Sequence, residues 1–183
     1  LLLEEGVPIP MIDGALMDFG YPVGPVALLD EVGIDVGAHV SKDLAVAFAS
    51  RGVQAPVLLA KLAAAGFAGR KNRRGFYAYP APGEKKRKGP KQVNPEILSF
   101  LGQVPMELPK NEIQDRVALM MVNEAVHCLA DGIIASPRDG DAGAILGLGF
   151  PPFRGGPFHY IDSMGALTIV NRLRELQSKY NAR

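Results

Sequence analysis

Few residues in this sequence could do acid–base or nucleophilic work: it holds three histidines and one cysteine among 183 residues. Glu124 and His127 lie three apart on a predicted helix, so their side chains can meet. A carboxylate that orients an imidazole is a general-base arrangement. A polar pair between packed helices uses the same spacing, and that plainer reading is preferred. His39 falls on a helix flank and reads as structural. His159 follows a Gly-Pro at a helix start and reads as a surface or capping residue. Cys128 adjoins His127, but neither has partners at zinc-ligand spacing, so no metal site is expected. Arg154 suits a phosphate, a carboxylate partner or open water.

Cofactor motifs are also missing. Gly147-Leu148-Gly149 begins like a dinucleotide loop, but Pro152 stands where the third glycine belongs. The residues before it read as helix and not strand, so this is no Rossmann fingerprint. No Gly-rich loop ends in Gly-Lys-Ser/Thr. Twenty basic residues nearly balance nineteen acidic ones, which points to neither nucleic acid nor a membrane surface. No apolar run is long enough to span a bilayer. A lone cysteine forbids an internal disulfide and suits a reducing compartment. Leu1 to Leu3 are followed at once by Glu4 and Glu5, with no basic region before them, unlike a signal peptide. A chain starting this way without Met reads as a cut fragment or a processed product.

What organises the chain is a repeat. Gly20-Tyr21-Pro22-Val23-Gly24-Pro25 leads into Leu28-Leu29-Asp30-Glu31-Val32-Gly33. Gly149-Phe150-Pro151-Pro152 leads through Gly155-Gly156-Pro157 into Tyr160-Ile161-Asp162-Ser163-Met164-Gly165. Gly20 matches Gly149 and Gly24 matches Gly156, so the second loop is three residues longer (149 to 156 against 20 to 24). Leu3-Glu4-Glu5-Gly6 also resembles Leu129-Ala130-Asp131-Gly132. In the second copy a long helix precedes that glycine. The first copy keeps only its last turn, which suggests a cut within a helix.

Helices must position all of this. Val117, Met120, Met121, Ala125, Cys128 and Leu129 fall at helical spacing. Asn111 with Gln114 forms a candidate capping box, and Gly132 a stop. Ser136-Pro137 signals a helix start, and Pro10 suits a first turn. Gly24-Pro25 and Gly156-Pro157 open short helices ending near Gly33 and Gly165. Val36, Val40, Leu44 and Ala47 mark a helix after Asp35, and Pro56 to Ala65 another, stopped by Gly66. Leu167, Val170, Leu173 and Tyr180 mark the last. Phe76 to Tyr79 is the one short extended run. The charged Pro/Gly stretch that follows reads as an exposed linker. The expectation is a mainly all-α chain of two tandem copies packed together. The first spans residues 1–80, the linker 81–93 and the second copy 94–183.

Gly20 to Pro25 with Leu29-Asp30 and Gly33 resembles the C-terminal helical domain of L-3-hydroxyacyl-CoA dehydrogenases. Gly69-Arg70-Lys71-Asn72 … Gly75-Phe76-Tyr77-Ala78-Tyr79 is similar to the segment closing that domain. Val122-Asn123-Glu124-Ala125, Asp131-Gly132-Ile133 and Gly147 to Pro152 with Gly155-Gly156 resemble the multifunctional α subunits of fatty acid β-oxidation.

The resemblance implies a parent that hydrates 2-enoyl-CoA and oxidises L-3-hydroxyacyl-CoA with NAD+. Its hydratase and Rossmann domains, with the catalytic His and its Glu partner, would lie upstream. This portion alone would be inactive, and Glu124 and His127 inherit no catalytic role. Lys71 matches a lysine that reaches NAD, while Arg73 stands where many relatives have Gly. Tyr21, Pro22 and Gly24 match the loop facing the acyl-CoA cleft, and Leu146 a substrate contact that is often aromatic. Implied partners are acyl-CoA, the upstream domains and a thiolase β subunit, in a bacterial cytoplasm or a mitochondrial matrix. A helical docking or dimerisation module without ligand contact stays open. So does part of a monofunctional 3-hydroxybutyryl-CoA dehydrogenase, although one copy per subunit is usual there.

Overall fold

A computed structural model describes residues 1–81, 83, 89, 91–101 and 106–180. The expected linker falls largely outside the described residues, its basic run 85–88 entirely so. The fold is all-α: nine α-helices and no sheet among the described residues. The chain divides into two compact units. Of the described residues, one holds those within 1–14 and 23–107, the other those within 15–22 and 108–180.

In the first unit, α1 (Ile9–Phe19) begins with Pro10 in its opening turn. Its residues from Ala15 on belong to the second unit. Helix α2 (Pro25–Val32) starts on the expected proline and stops at Gly33, whose φ of 116° suits glycine. Helix α3 (Ile34–Ala47) packs against α4 (Val57–Ala64). Gly66, with φ 80°, ends that hairpin. Helix α5 (Pro95–Leu101) was not foreseen: seven residues give too short a pattern. Ile97 anchors it, fully buried, and Phe100 meets the Phe67 ring edge-on at 5.2 Å. The Phe76–Tyr79 segment is extended, with isolated bridges Arg74 to Ala78 and Tyr77 to Val93.

The apolar spacing in α3 predicted the helix correctly but not its environment. Val36, Val40 and Leu44 are all exposed, and Ile34 is the buried residue of this helix.

The second unit is built on α6 (Lys110–Ala130) with α7 (Pro137–Leu148), α8 (Pro157–Met164) and α9 (Ala166–Tyr180). Its core joins Phe19, Ala118, Leu119, Val122, Ala144, Phe150, Tyr160, Ile169 and Leu176. Ser136 caps α7 as expected, its hydroxyl accepting the Asp139 N–H at 3.2 Å. The proposed Asn111–Gln114 capping box does not form. Pro109 precedes the first turn of α6, and the Gln114 amide donates instead to the Ala15 carbonyl at 2.8 Å.

The buried face of α6 is also rotated from the expected stripe. Ala118, Leu119 and Val122 are buried while Met120 is exposed. In α9, Ile169 and Leu176 are buried, while Leu167 and Val170 are exposed. Each helix carries more apolar residues than its neighbours cover, so spacing alone selects the wrong face. Near its start α6 holds a buried carboxylate. Glu112 accepts from Lys179 Nζ at 2.7 and 2.9 Å and from the Tyr180 hydroxyl, which ties the end of α9 down.

Candidate functional site

Two aspartates that the sequence reading gave no role organise the first unit. Asp13 on α1 accepts the N–H groups of Val26 and Ala27 at 2.8 and 3.0 Å. It therefore caps α2 from a distance, satisfying donors that the helix leaves open. The Tyr77 hydroxyl donates to the same carboxylate at 2.6 Å. Gly24 is buried against this group, and a β-carbon there would overlap the Asp13 carboxylate. Its lack of a side chain is thus fixed by packing.

Asp30, on the last turn of α2, is fully buried. Its carboxylate accepts the Phe76 and Tyr77 N–H groups at 2.8 and 2.9 Å and the Tyr79 hydroxyl at 2.9 Å. Burial raises its pKa above the usual carboxylate value, opposed by those three hydrogen bonds. Burial, and then the hydrogen bonds to Asp13 and Asp30, hold the Tyr77 and Tyr79 hydroxyls well above the ordinary tyrosine range.

The Gly69–Gly75 turn sits on Asp30. A β-carbon on Gly69 would strike the Asp30 backbone, and one on Gly75 its carboxylate. Asn72 fastens the turn from within. Its Oδ1 accepts from Ala68 and Arg74 N–H at 3.3 and 3.1 Å, and its Nδ2 donates to the Gly66 carbonyl at 2.8 Å.

Lys71 projects from this turn, exposed, with Nζ 2.6 Å from Asp35 Oδ2. That contact lowers the Asp35 pKa. Arg70 pairs with Glu31 at 2.8 Å and Arg74 with Glu96 at 3.2 Å. Arg73, the residue that bears on the shape of this turn, takes φ 62°, the one positive φ at a non-glycine among the described residues. A left-handed conformation costs such a residue about 1 kcal/mol.

The remaining expected residues lie in the second unit. Tyr21 is half-buried in an aromatic cluster, stacked on Phe19 at 5.8 Å and edge-on to Phe150 at 6.3 Å. Its hydroxyl donates to Met121 Sδ at 3.7 Å. Burial raises its pKa, with the nearby Arg154 opposing. Pro22 is exposed beside it. Arg154 spans the cluster: Nε donates to the Phe19 carbonyl at 2.8 Å, and the guanidinium lies 3.8 Å from the Phe19 ring centre.

Leu146, on the last turn of α7, is 87% exposed. Gly149 stops that helix with φ 72° and delivers Phe150 to the core, so the Gly-Leu-Gly run is a helix terminus. On α6, His127 is exposed and Glu124 half-buried.

The second unit repeats the aspartate device. Asp141 on α7 accepts the Phe158 and His159 N–H groups at 2.7 and 3.2 Å, capping α8. A β-carbon on Gly156 would collide with Asp141, as one on Gly24 would with Asp13. His159 contributes its backbone here, and its ring lies over Gly155. An Asp some turns upstream of each Gly-Pro helix start is a signal the sequence did contain. Asp162, the counterpart of Asp30 in the repeat, is exposed.

Residues 1–79 match the family described as 3-hydroxyacyl-CoA dehydrogenase, C-terminal domain. A fatty acid oxidation complex subunit alpha from Shewanella sp. (strain ANA-3) is 50% identical over all 183 residues. Along its whole length the chain is similar to fatty acid oxidation complex α subunits. Its counterpart from Shewanella amazonensis is 51% identical, again over the whole chain. The chain spans 26% and 25% of the lengths of these two homologues, about a quarter of each.

Two solved structures share the fold. A 3-hydroxybutyryl-CoA dehydrogenase from Escherichia coli K12 covers 100% of this chain with 53% of its own, at TM-score 0.72 and 22% identity. The dehydrogenase part of multifunctional enzyme 1 from C. elegans covers 100% of this chain with 41% of its own, at TM-score 0.65 and 21% identity. No α-helix among the described residues is long and apolar enough to cross a membrane.

Proposed function

We propose that these residues form the helical, ligand-cleft portion of a multifunctional β-oxidation enzyme. The parent would oxidise L-3-hydroxyacyl-CoA to 3-oxoacyl-CoA with NAD+ and hydrate 2-enoyl-CoA. The observation that supports this most is the 50% identity to fatty acid oxidation complex α subunits along the entire chain. The two halves, 1–80 and 94–183, are read as copies of one ancestral domain. The paired Asp13–Gly24 and Asp141–Gly156 caps support that reading.

In this proposal NAD+ accepts the hydride leaving C3 of the hydroxyacyl group. The residues of this chain hold and orient. Lys71 offers a cation to the cofactor from a turn made rigid by Asn72 and Asp30. These donors fit one anionic edge of a dinucleotide, and other segments of the parent would hold the rest. Tyr21, Pro22 and Gly24 shape the loop beside the acyl-CoA, and Leu146 offers an apolar wall. Asp35 holds the Lys71 ammonium at 2.6 Å. In this scheme the base for the hydroxyl proton belongs to the parent's other segments, and the isolated chain is expected to be inactive.

The homologues are named as subunits of a complex, which supports a further subunit as partner, here a thiolase β subunit. The setting is the cytoplasm in a bacterium or the mitochondrial matrix in a eukaryote. The exposed apolar row Val36, Val40 and Leu44 favours a second reading, a docking or dimerisation module without ligand contact.

Lys71→Ala in the full-length parent separates the two. A ligand role predicts a higher Kd for NADH with unchanged melting, whereas unchanged affinity removes Lys71 from the cofactor site. The isolated chain, assayed with acetoacetyl-CoA and NADH, should show no turnover above background.

A further inference from the structure

Residues 70–74 carry four cations in five positions, and three are paired with carboxylates within the chain. Arg70 faces Glu31, Lys71 faces Asp35 and Arg74 faces Glu96, at 2.6 to 3.2 Å. Arg73 is exposed, and no carboxylate among the described residues pairs with it. It is also the residue held in the left-handed region, with φ 62°. An unfavourable backbone conformation and an uncompensated charge thus fall on one side chain.

The turn beneath it is fixed. Arg73 N–H donates to the Arg70 carbonyl at 3.1 Å, and Gly69 N–H to the Arg74 carbonyl at 3.0 Å. Asn72 closes both flanks. The Arg73 backbone is therefore held in a fixed turn, two residues from Lys71. A planar cation with several parallel donors matches a phosphate better than any other common anionic ligand group except a carboxylate.

We propose that Arg73 binds a phosphate of a nucleotide-bearing ligand seated beside Lys71. This rests on the reading that Lys71 faces the ligand cleft. The phosphate belongs either to the dinucleotide cofactor or to the phosphorylated adenosine end of CoA. Both offer the same chemistry, and direct binding separates them.

Arg73→Gly and Arg73→Asn in the full-length parent both accept a left-handed backbone and remove the charge. NADH affinity is read by fluorescence titration. CoA and pantetheine, which lacks the nucleotide, are read by calorimetry, each at low and high salt. We expect Kd for NADH or for CoA to rise about tenfold in both variants, with a weaker salt dependence. Pantetheine binding and melting temperature should not fall. The ligand that weakens identifies the phosphate. Unchanged Kd for both NADH and CoA overturns the proposal, as does an equal loss for pantetheine. A parent that binds neither NADH nor CoA before mutation fails the functional reading itself, a different result from wild-type binding that ignores Arg73.

Discussion

The Asp30 carboxylate accepts the Tyr79 hydroxyl at 2.9 Å, across 49 residues of chain. With the Phe76 and Tyr77 N–H groups it holds the segment that follows the Lys71 turn. Asp30→Asn places an amide against three donors. Loss of such a buried network should cost about 2–3 kcal/mol of stability. Asp162→Asn, at an exposed position, should change stability by less than about 0.5 kcal/mol. Denaturant unfolding of both variants measures the contrast, and equal effects would remove Asp30 from its organising role.

Alkaline stability should depend on Tyr77 and Tyr79. The folded chain keeps their hydroxyl protons at pH values where the unfolded chain releases them. Stability should therefore be intact below the ordinary tyrosine pKa of about 10 and fall as pH rises above it. Melting temperature against pH, compared with a Tyr77→Phe/Tyr79→Phe double variant, tests this. The variant should start less stable and show a shallower alkaline decline.

The two distant caps should be separable. Asp141→Ala removes the cap of α8 and should cost about 1 kcal/mol. Asp13→Ala also strands the Tyr77 hydroxyl, so its loss should be larger, about 2–3 kcal/mol. Gly24→Ala should destabilise through overlap with Asp13. Wild-type stability in Gly24→Ala would mean the glycine serves something other than packing.

Leu146 offers a test on the substrate side. Because it is 87% exposed, Leu146→Ala should leave the melting temperature unchanged. In the full-length parent it should raise KM for long acyl-CoA substrates and spare short ones. No change for either chain length would take Leu146 out of the substrate wall.

Much of this architecture was legible as local chemistry. Ser136-Pro137, Gly24-Pro25 and Gly156-Pro157 set helix starts, and Gly33, Gly66 and Gly165 set ends, because these residues act through their own backbone angles. The repeated Gly-aromatic-Pro motif is likewise a pattern along the chain, open to reading without a fold.

Tertiary structure decided what depends on neighbours. It buried Leu119 and left Met120 exposed, and it left the α3 row uncovered. It turned Asp13, Asp30 and Asp141 from acids with no assigned role into anchors. It placed Arg73 in a left-handed turn, its charge paired with no carboxylate among the described residues. A cap or a stop is written in one or two adjacent residues, whereas a buried carboxylate is defined by donors dozens of positions away. Sequence spacing carries the first kind of information, and only the packed chain brings the second together.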